Sequence, residues 1–359
     1  MAILLFIAGL FFLIFGADIL IRGASRLALS IGITPLVIGL TVVSFGTSAP
    51  ELAVSAQAAL ANQANLSVGN VIGSNIFNIL VVLGISALIA PLLVSPSLIR
   101  RDIPIMISVS VIAYIFMFNE KLSFVEGVIL FSILIVYLLF LIKQSRREQS
   151  DVKPDEVESS NSKIGILKYI GFIIVGLIML TLGSNWLVDS SIKFAKYFEV
   201  SELIIGLTIV AIGTSLPEVV TSVIATIRGE RDIAVGNVIG SNIFNILGVF
   251  GVVGIFSPHG VDVFPNVIQF DLPFMIVVAL LCIPIFISGH TINRWEGLLL
   301  FSIYIIYTAY LILKETESTM LPQFYSLVCY FVIPIFFLFL IIDIILKNKL
   351  KLKNTTSDS

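Results

Sequence analysis

The sequence predicts an all-α polytopic membrane protein with two inverted-topology five-helix repeats, which give ten core helices, and one extra C-terminal helix. Hydrophobic residues make up 58% of the 359 positions and charged residues 12%, which leaves too little polar surface for a soluble domain. The mean hydropathy of +1.08 agrees. The segment VGNVIGSNIFNIL at 68–80 also recurs unchanged at 235–247, which indicates an internal duplication.

Eleven apolar runs predict the transmembrane helices, since about 20 apolar residues span a bilayer as a helix. The runs lie near 2–21, 34–60, 69–93, 103–118, 123–142, 165–187, 203–227, 236–257, 268–288, 293–313 and 322–346. The first run lacks a basic leading segment and a small-residue cleavage site. We therefore expect a retained helix rather than a signal peptide.

A polar, charged segment between the fifth and sixth runs divides the chain into halves. We predict a first repeat at 1–142, a cytoplasmic linker at 143–164, a second repeat at 165–313, and an extra transmembrane helix with a basic cytoplasmic tail at 314–359. Because five is an odd number, the second repeat enters the membrane in the opposite orientation. Such inverted pairs recur in secondary transporters.

The distribution of positive charge predicts the orientation, because Lys and Arg collect on the cytoplasmic side. With the N-terminus outside, 17 of the 21 basic residues fall in inside segments, and only Lys121, Lys193, Lys196 and Lys314 fall outside. We therefore expect a cytoplasmic C-terminus. The net charge of −2 and the scattered basic residues give no nucleic-acid footprint, no protein partner is evident, and the lipid bilayer is the partner implied by composition.

A second pair of motifs keeps the same spacing: GTSAPE at 46–51 and GTSLPE at 213–218. The proline removes a backbone donor and clashes with the carbonyl four residues earlier, which predicts a kink and freed carbonyls in each half. Those carbonyls are expected around Ser44 and Thr47, and around Ala211 and Thr214. Because residues three and four apart share a helix face, hydroxyls are expected beside each carboxylate: Thr47 and Ser48 beside Glu51, and Thr214 and Ser215 beside Glu218.

The spacing from Glu51 to Asn78 fits an antiparallel helical hairpin that returns the chain to the same depth. Ser74, Asn75 and Asn78 are then predicted to face the carboxylate, and the second half repeats the arrangement with Ser241 and Asn245. The small-xxx-small patterns allow the hairpin helices close contact. They comprise Gly69, Gly73, Gly236 and Gly240.

The chemistry of the predicted site favours hard cations. With opposed repeats, the two hairpins should surround one cavity at the bilayer midplane, lined by carboxylate, amide, hydroxyl and carbonyl oxygens with no His or Cys nearby. Six to eight oxygens at about 2.3 to 2.6 Å would suit Ca²⁺. Each ionised carboxylate at this depth costs on the order of 2.5 to 3.5 kcal/mol, so bound cations are expected to neutralise the pair. One Ca²⁺ or two monovalent cations would do so, and a third monovalent cation would make exchange electrogenic.

At these residues the chain resembles the prokaryotic sodium/calcium exchanger family of the Ca²⁺/cation antiporter superfamily. The motifs match that family's two alpha-repeats, here at 34–93 and 203–257, and the resemblance covers roughly residues 1–313. It implies ten core helices and alternating access by sliding of the first and sixth helices past the rest. It also implies Na⁺-driven Ca²⁺ movement across a prokaryotic plasma membrane, with both ions bound as transported substrates and no cofactor.

The resemblance also implies the metal ligands, with Glu51 and Glu218 at the centre. The supporting positions are Ser44, Thr47, Ser48, Ser74 and Asn78 in the first repeat, and Ala211, Thr214, Ser215, Ser241 and Asn245 in the second. Some members, including those that couple K⁺, have aspartate at the position of Asn245, so the asparagine argues for K⁺-independent exchange. The linker holds no large regulatory domain, and the eleventh helix exceeds the ten-helix core.

Other interpretations stay open at this stage. H⁺ is the alternative driving ion, because buried glutamates can carry protons. A passive cation channel is a further alternative, although a pore formed by four or five subunits would be more usual. An enzyme is not indicated, since no HExxH, GxSxG or paired-aspartate motif lies at membrane depth. Four aspartates near predicted helix ends are expected to be solvated or capping residues: Asp18, Asp102, Asp189 and Asp271.

Overall fold

A computed structural model describes residues 2–61, 63–150, 163–197, 211–257, 259–287 and 289–332, together with 334, 338 and 339. The described chain is almost entirely helical. The α-helices are α1 (Ala2–Ile31), α2 (Pro35–Ile38), α3 (Ser44–Thr47), α4 (Ala49–Leu60), α5 (Ala64–Phe77), α6 (Gly84–Ile89), α7 (Ile103–Met117), α8 (Phe124–Ser150), α9 (Lys163–Tyr197), α10 (Ala211–Gly213), α11 (Leu216–Ile227), α12 (Arg231–Phe244), α13 (Phe250–Phe256), α14 (Leu272–Ile287), α15 (Arg294–Glu315) and α16 (Leu321–Leu327).

Short π-helical turns and two-residue strands connect these helices. The π-helical turns are Gly39–Val43, Asn78–Leu83, Leu98–Asp102, Asn245–Val249, Val267–Asp271 and Val328–Val332. The strands are β1 (Leu92–Leu93), β2 (Lys121–Leu122), β3 (Val261–Asp262) and β4 (Thr291–Ile292). β1 pairs antiparallel with β4, and β2 with β3, so each two-stranded ribbon joins a segment of the first half to a segment of the second.

Seven helices in the described part of the chain are long and apolar enough to cross a membrane. An eighth span results if the pair Pro35–Thr47 and Ala49–Leu60, which is bent by 45°, counts as one. The predicted fourth span corresponds to α7, which has 15 residues. Parts of the predicted seventh and eleventh spans lie outside the described residues, so the total of eleven stays a prediction.

Glycines let α1 and α9 pack with their backbones in contact. A Cβ on Gly9 would lie 2.8 Å from the carbonyl oxygen of Gly183, and a Cβ on Gly176 would lie 2.7 Å from that of Gly16. Small residues at such crossings are typical of membrane helices, where dispersion contacts rather than hydrophobic burial drive helix association. The outer face of the pair is apolar and exposed, as shown by Leu167 at 72%. This pair therefore forms a separate layer against the remaining helices.

The expectation that four aspartates near helix ends are solvated or capping is wrong for Asp102, which is fully buried at the end of a π-helical turn. Its carboxylate accepts hydrogen bonds from Arg101 at 2.9 and 3.0 Å and from the Tyr137 hydroxyl at 3.1 Å. In the second half, the Tyr307 hydroxyl bonds Asp271 at 3.2 Å in the same way. Asp102 thus joins two helices away from solvent, whereas Asp271 makes its hydrogen bond while only partly buried.

Candidate functional site

Glu51 and Glu218 occupy equivalent positions in the two halves. Each lies in the first turn of its helix, α4 or α11, directly after a proline at the helix start. Proline is tolerated there because the first-turn N–H groups have no intrahelical partner. The positive end of the helix dipole also favours a carboxylate in this turn. Both side chains are fully buried.

The serine two positions before each proline bonds the glutamate of the other half. The Ser48 hydroxyl donates to Glu218 Oε1 at 3.0 Å, and the Ser215 hydroxyl donates to Glu51 Oε1 at 3.0 Å. Ser74 also donates to Glu51 Oε1 at 3.4 Å and lies 3.2 Å from the Ser215 hydroxyl. This crosswise pattern brings Ser48, Ser74, Ser215 and both carboxylates into one site, in which each half supports the other's charge.

Several buried oxygens at this site accept no hydrogen bond from the described residues. They are Glu51 Oε2, Glu218 Oε2, Asn78 Oδ1, Asn245 Oδ1 and the hydroxyl of Ser241. An unsatisfied buried polar atom costs roughly 1 to 3 kcal/mol, and more when it is charged. Two of these five oxygens belong to the carboxylates of Glu51 and Glu218, which form no ion pair with the described residues. A hard cation is the chemical group that fits them.

The asparagines of the repeated motifs differ in their hydrogen-bond partners. Asn78 donates from Nδ2 to Asn242 Oδ1 at 3.1 Å, which leaves its own Oδ1 free to act as a ligand. Asn75, which was predicted to face the carboxylate, donates instead to Met275 Sδ at 3.6 Å, so this prediction is wrong. Asn242 makes the equivalent contact with Met106. Asn78 and Asn245 each begin a π-helical turn, a feature that is frequent at functional sites.

Two asparagines that the sequence analysis did not single out hold the hairpins together. Asn70 donates to Ser55 Oγ at 2.9 Å and to the Glu51 carbonyl at 3.3 Å. Asn237 donates to Ser222 Oγ at 3.0 Å. Both lie inside the repeated motif, two residues after its first valine, so the repeat itself was the signal that could have identified them.

The two threonines contact these asparagines in the opposite half. The Thr47 hydroxyl donates to Asn237 Oδ1 at 3.1 Å and to the Ser44 carbonyl at 3.3 Å, and the Thr214 hydroxyl donates to Asn70 Oδ1 at 3.4 Å. Their hydroxyls are therefore already donating within the protein, while their oxygens keep lone pairs for a cation. These bonds join the halves around the glutamates.

The predicted free carbonyl at Ser44 is wrong. That oxygen accepts the backbone N–H of Ser48 at 3.0 Å as well as the Thr47 hydroxyl, because α3 ends only at Thr47. The Ser44 hydroxyl donates to the Leu40 carbonyl at 2.9 Å. The side chain of Ala211 lies outside the described residues.

The glycines of the second half make close contacts, but with a different helix from the predicted one. A Cβ on Gly236 would lie 2.8 Å from the Leu36 carbonyl oxygen, and a Cβ on Gly240 would lie 2.7 Å from Leu40 Cα. The equivalent positions Gly69 and Gly73 have no described neighbour within 4 Å of an added Cβ. These two glycines thus face the start of the first alpha-repeat, while Asn237 joins the two helices of the hairpin through Ser222.

A cavity of about 350 Å³ adjoins the site on the side of Gly69 and Gly73. Its lining includes Asn70 and Ser74, which contact Glu51, and Asp271 and Tyr307 near the surface of α14 and α15. Within the described ranges, no group of three or more His, Cys, Asp or Glu side chains could hold a metal ion. The oxygens that contact the two glutamates are instead the neutral hydroxyls of Ser48, Ser74 and Ser215.

Comparisons with known proteins identify the family of this chain. The model of the family described as "Sodium/calcium exchanger protein" matches residues 1–143 and 168–313. The chain is 40% identical to the Inner membrane protein YrbG of Escherichia coli over 246 residues, which cover 66% of this chain and 75% of the relative. It is 32% identical to the Sodium/calcium exchanger MaX1 of Methanosarcina acetivorans over 340 residues, which cover 85% of this chain and 96% of the relative.

A solved structure has a similar fold. The sodium-calcium exchanger NCX_Mj, soaked with Na⁺ and Ca²⁺, aligns with a TM-score of 0.74 at 33% sequence identity. The alignment covers 86% of this chain and 97% of that structure. The similarity therefore extends over nearly the whole of the solved protein and includes both halves of this one.

Proposed function

Because the chain belongs to the sodium/calcium exchanger protein family, we propose that it is a secondary antiporter that exchanges Na⁺ for Ca²⁺ by alternating access. The observation that carries this proposal is a pair of buried glutamates, each of which accepts a hydrogen bond from a serine of the other half. Five buried oxygens, two of them on these carboxylates, accept no hydrogen bond from the described residues. Such a site is costly when empty and favourable when it holds a cation. The relatives named above are described as membrane proteins or exchangers, and none is described as an enzyme.

The composition of the site supports Ca²⁺ as one substrate. Five oxygens accept no hydrogen bond from the described residues. With the Oε1 atoms of Glu51 and Glu218, the proposed ligands fall in the range of six to eight oxygens that Ca²⁺ takes. Ser241 and Asn245 contribute from the second half, and Asn78 contributes from the first. The absence of nitrogen or sulfur ligands disfavours transition metals.

Charge balance supports exchange on this single set of ligands. Two carboxylates are neutralised by one Ca²⁺ or by two Na⁺, so the two kinds of cation compete for the same atoms. A third Na⁺ on the hydroxyl and amide oxygens would make each cycle electrogenic. Asn245 adds no third carboxylate, which supports K⁺-independent exchange.

The pairing of the halves supports two inverted repeats with a shared site. Each hydrogen bond from Ser48 to Glu218 has its counterpart from Ser215 to Glu51, and the asparagine and threonine contacts are paired in the same way. The glycine-lined contact packs α1 and α9 against each other as one unit, which supports a movement of the two helices together past the hairpins. We place the N-terminus outside and the C-terminus in the cytoplasm of a prokaryotic cell, from the distribution of Lys and Arg.

The coupling ion decides between this proposal and its alternatives. Purified protein in liposomes should take up ⁴⁵Ca²⁺ under an imposed Na⁺ gradient and not under a pH gradient of equal size. Uptake driven by the pH gradient alone would favour H⁺ as the coupling ion. Ca²⁺ flux at single-channel rates without any counter-ion would favour a passive channel.

Two variants test the assigned carboxylates in the same assay. Glu51→Gln and Glu218→Gln should each abolish Na⁺-driven Ca²⁺ uptake, because the remaining single charge cannot balance a divalent cation. Glu120→Gln removes a carboxylate from an exposed turn and serves as the matched control. Normal exchange in either buried variant would refute the ligand assignment.

A further inference from the structure

A second cavity, of about 630 Å³, lies away from the glutamates at one end of the α1–α9 pair. Four basic side chains line it: Arg22 and Arg26 from the last turns of α1, Lys168 from the start of α9, and Arg228 from the turn between α11 and α12. Three separate elements therefore direct positive charge into one space. The positive-inside prediction puts this end of the molecule at the cytoplasmic face.

The charges within this cavity are not balanced. Asp18 pairs with both Arg22 and Arg228, and Glu230 accepts a hydrogen bond from the Ser25 hydroxyl at 2.6 Å. Four cationic groups thus share two carboxylates. Among the described residues, no carboxylate pairs with Arg26 or Lys168. The cavity therefore holds an excess of positive charge that suits an anion.

The remaining lining is apolar and continues onto the lipid-facing surface. Ile21, Tyr169 and Phe172 complete the wall, and Lys168 Nζ lies 5.6 Å from the Phe172 ring. Next to the cavity, α9 exposes Leu167 and Ile174 at 72% and 52%. A ligand with an anionic head and apolar chains would find partners for both parts along this path.

We infer that this cavity binds the phosphate headgroup of an anionic phospholipid, with the acyl chains along the exposed face of α9. Basic pockets between transmembrane helices on the cytoplasmic side are suited to such headgroups. The aromatic rings fit the interfacial zone, where amphipathic side chains are favoured. This inference concerns a lipid site separate from the cation site, and it does not depend on which ions are transported.

The test measures lipid binding to the full-length protein. The protein is delipidated in detergent and titrated with phosphatidylglycerol, with phosphatidylcholine, or with inorganic phosphate. Native mass spectrometry counts the lipid or phosphate molecules bound to each protein. The double variant Arg26→Gln/Lys168→Gln removes the two unpaired charges. Arg100→Gln/Lys143→Gln removes two exposed charges from the same predicted face outside the cavity and is the matched control.

The wild type should bind phosphatidylglycerol in preference to phosphatidylcholine. The double variant should bind it roughly 30-fold more weakly, since each basic residue near the surface contributes about a fivefold factor. The control should stay within about threefold of wild type, as untargeted charges contribute little. If the double variant does not fold, the single Arg26→Gln change should weaken binding by about fivefold.

Three results would overturn the inference. Equal affinity of the double variant and the control would show that these two side chains do not bind the headgroup. Equal retention of the two lipids by the wild type would show that the negative charge is not recognised. Saturable binding of inorganic phosphate without a preference for phosphatidylglycerol would assign the cavity to a free anion instead of a lipid.

Discussion

Glu51→Gln changes the charge at the site while keeping the shape of the side chain. In the wild type, Glu51 Oε1 accepts the hydroxyls of Ser215 and Ser74, and Oε2 accepts no hydrogen bond from the described residues. An amide oxygen can accept the same two hydroxyls. The substitution therefore retains the hydrogen bonds and removes one uncompensated buried charge.

Glu51→Gln should stabilise the protein when no cation is bound, and Ca²⁺ should cancel this difference. Without them, the variant should be more stable than the wild type by about 2.5 kcal/mol, the insertion cost of one charge. At about 2 °C for each kcal/mol, this raises the denaturation temperature by roughly 5 °C. Ca²⁺ at 100 times its dissociation constant should stabilise the wild type by about 2.7 kcal/mol and leave the variant unchanged.

Thermal denaturation of purified protein in detergent measures both effects, with a chelator in one sample and added Ca²⁺ in the other. Glu120→Gln is the control, because this exposed carboxylate should change neither value. A wild-type Ca²⁺ shift that persists in Glu51→Gln would refute the reasoning. So would a variant that is less stable than wild type in the chelator, which would indicate a structural glutamate.

Two further sets of substitutions test the contacts around the site. Ser48→Ala and Ser215→Ala should each raise the Ca²⁺ concentration for half-maximal uptake by about tenfold or more, because a hydrogen bond to a charged group contributes roughly 1.5 to 3 kcal/mol. Ser132→Ala removes a hydroxyl that bonds a carbonyl on an exposed helix face, and it should leave uptake unchanged; a change below twofold in both site variants would contradict the crosswise bonding. Gly240→Ala places a Cβ 2.7 Å from the facing backbone and should destabilise the protein by about 1 to 3 kcal/mol in thermal denaturation. Gly73→Ala meets no described atom within 4 Å and should be tolerated, so equal losses from the two changes would count against the observed packing.

The repeated motifs were sufficient to predict from the sequence that the two glutamates are buried in equivalent positions of the two halves. Glu51 and Glu218 each follow a proline inside an apolar run, and few roles other than cation binding suit a carboxylate there. The spacing also placed Ser74 beside Glu51. Local periodicity could not show that Ser48 bonds Glu218 rather than Glu51, because this partner depends on how the two halves pack together.

Other features depend on contacts that no local pattern records. Asp102 is near a helix end in the sequence, and its burial follows from Tyr137, which lies 35 positions later and supplies a hydrogen bond. The Ser44 carbonyl is satisfied because α3 continues to Thr47, so that this carbonyl still accepts the Ser48 N–H. The alternation of polar and apolar residues likewise does not predict the π-helical turns that begin at Asn78 and Asn245.

The central claim is that Glu51 and Glu218 form one cation site that serves both ions. Equilibrium binding of ⁴⁵Ca²⁺ to the purified protein over a range of Na⁺ concentrations tests it most directly. The claim predicts one Ca²⁺ per chain, competitive displacement by Na⁺, and complete loss of binding in either Glu51→Gln or Glu218→Gln. Half of the Ca²⁺ retained in each variant, or Na⁺ that lowers capacity without changing affinity, would contradict it.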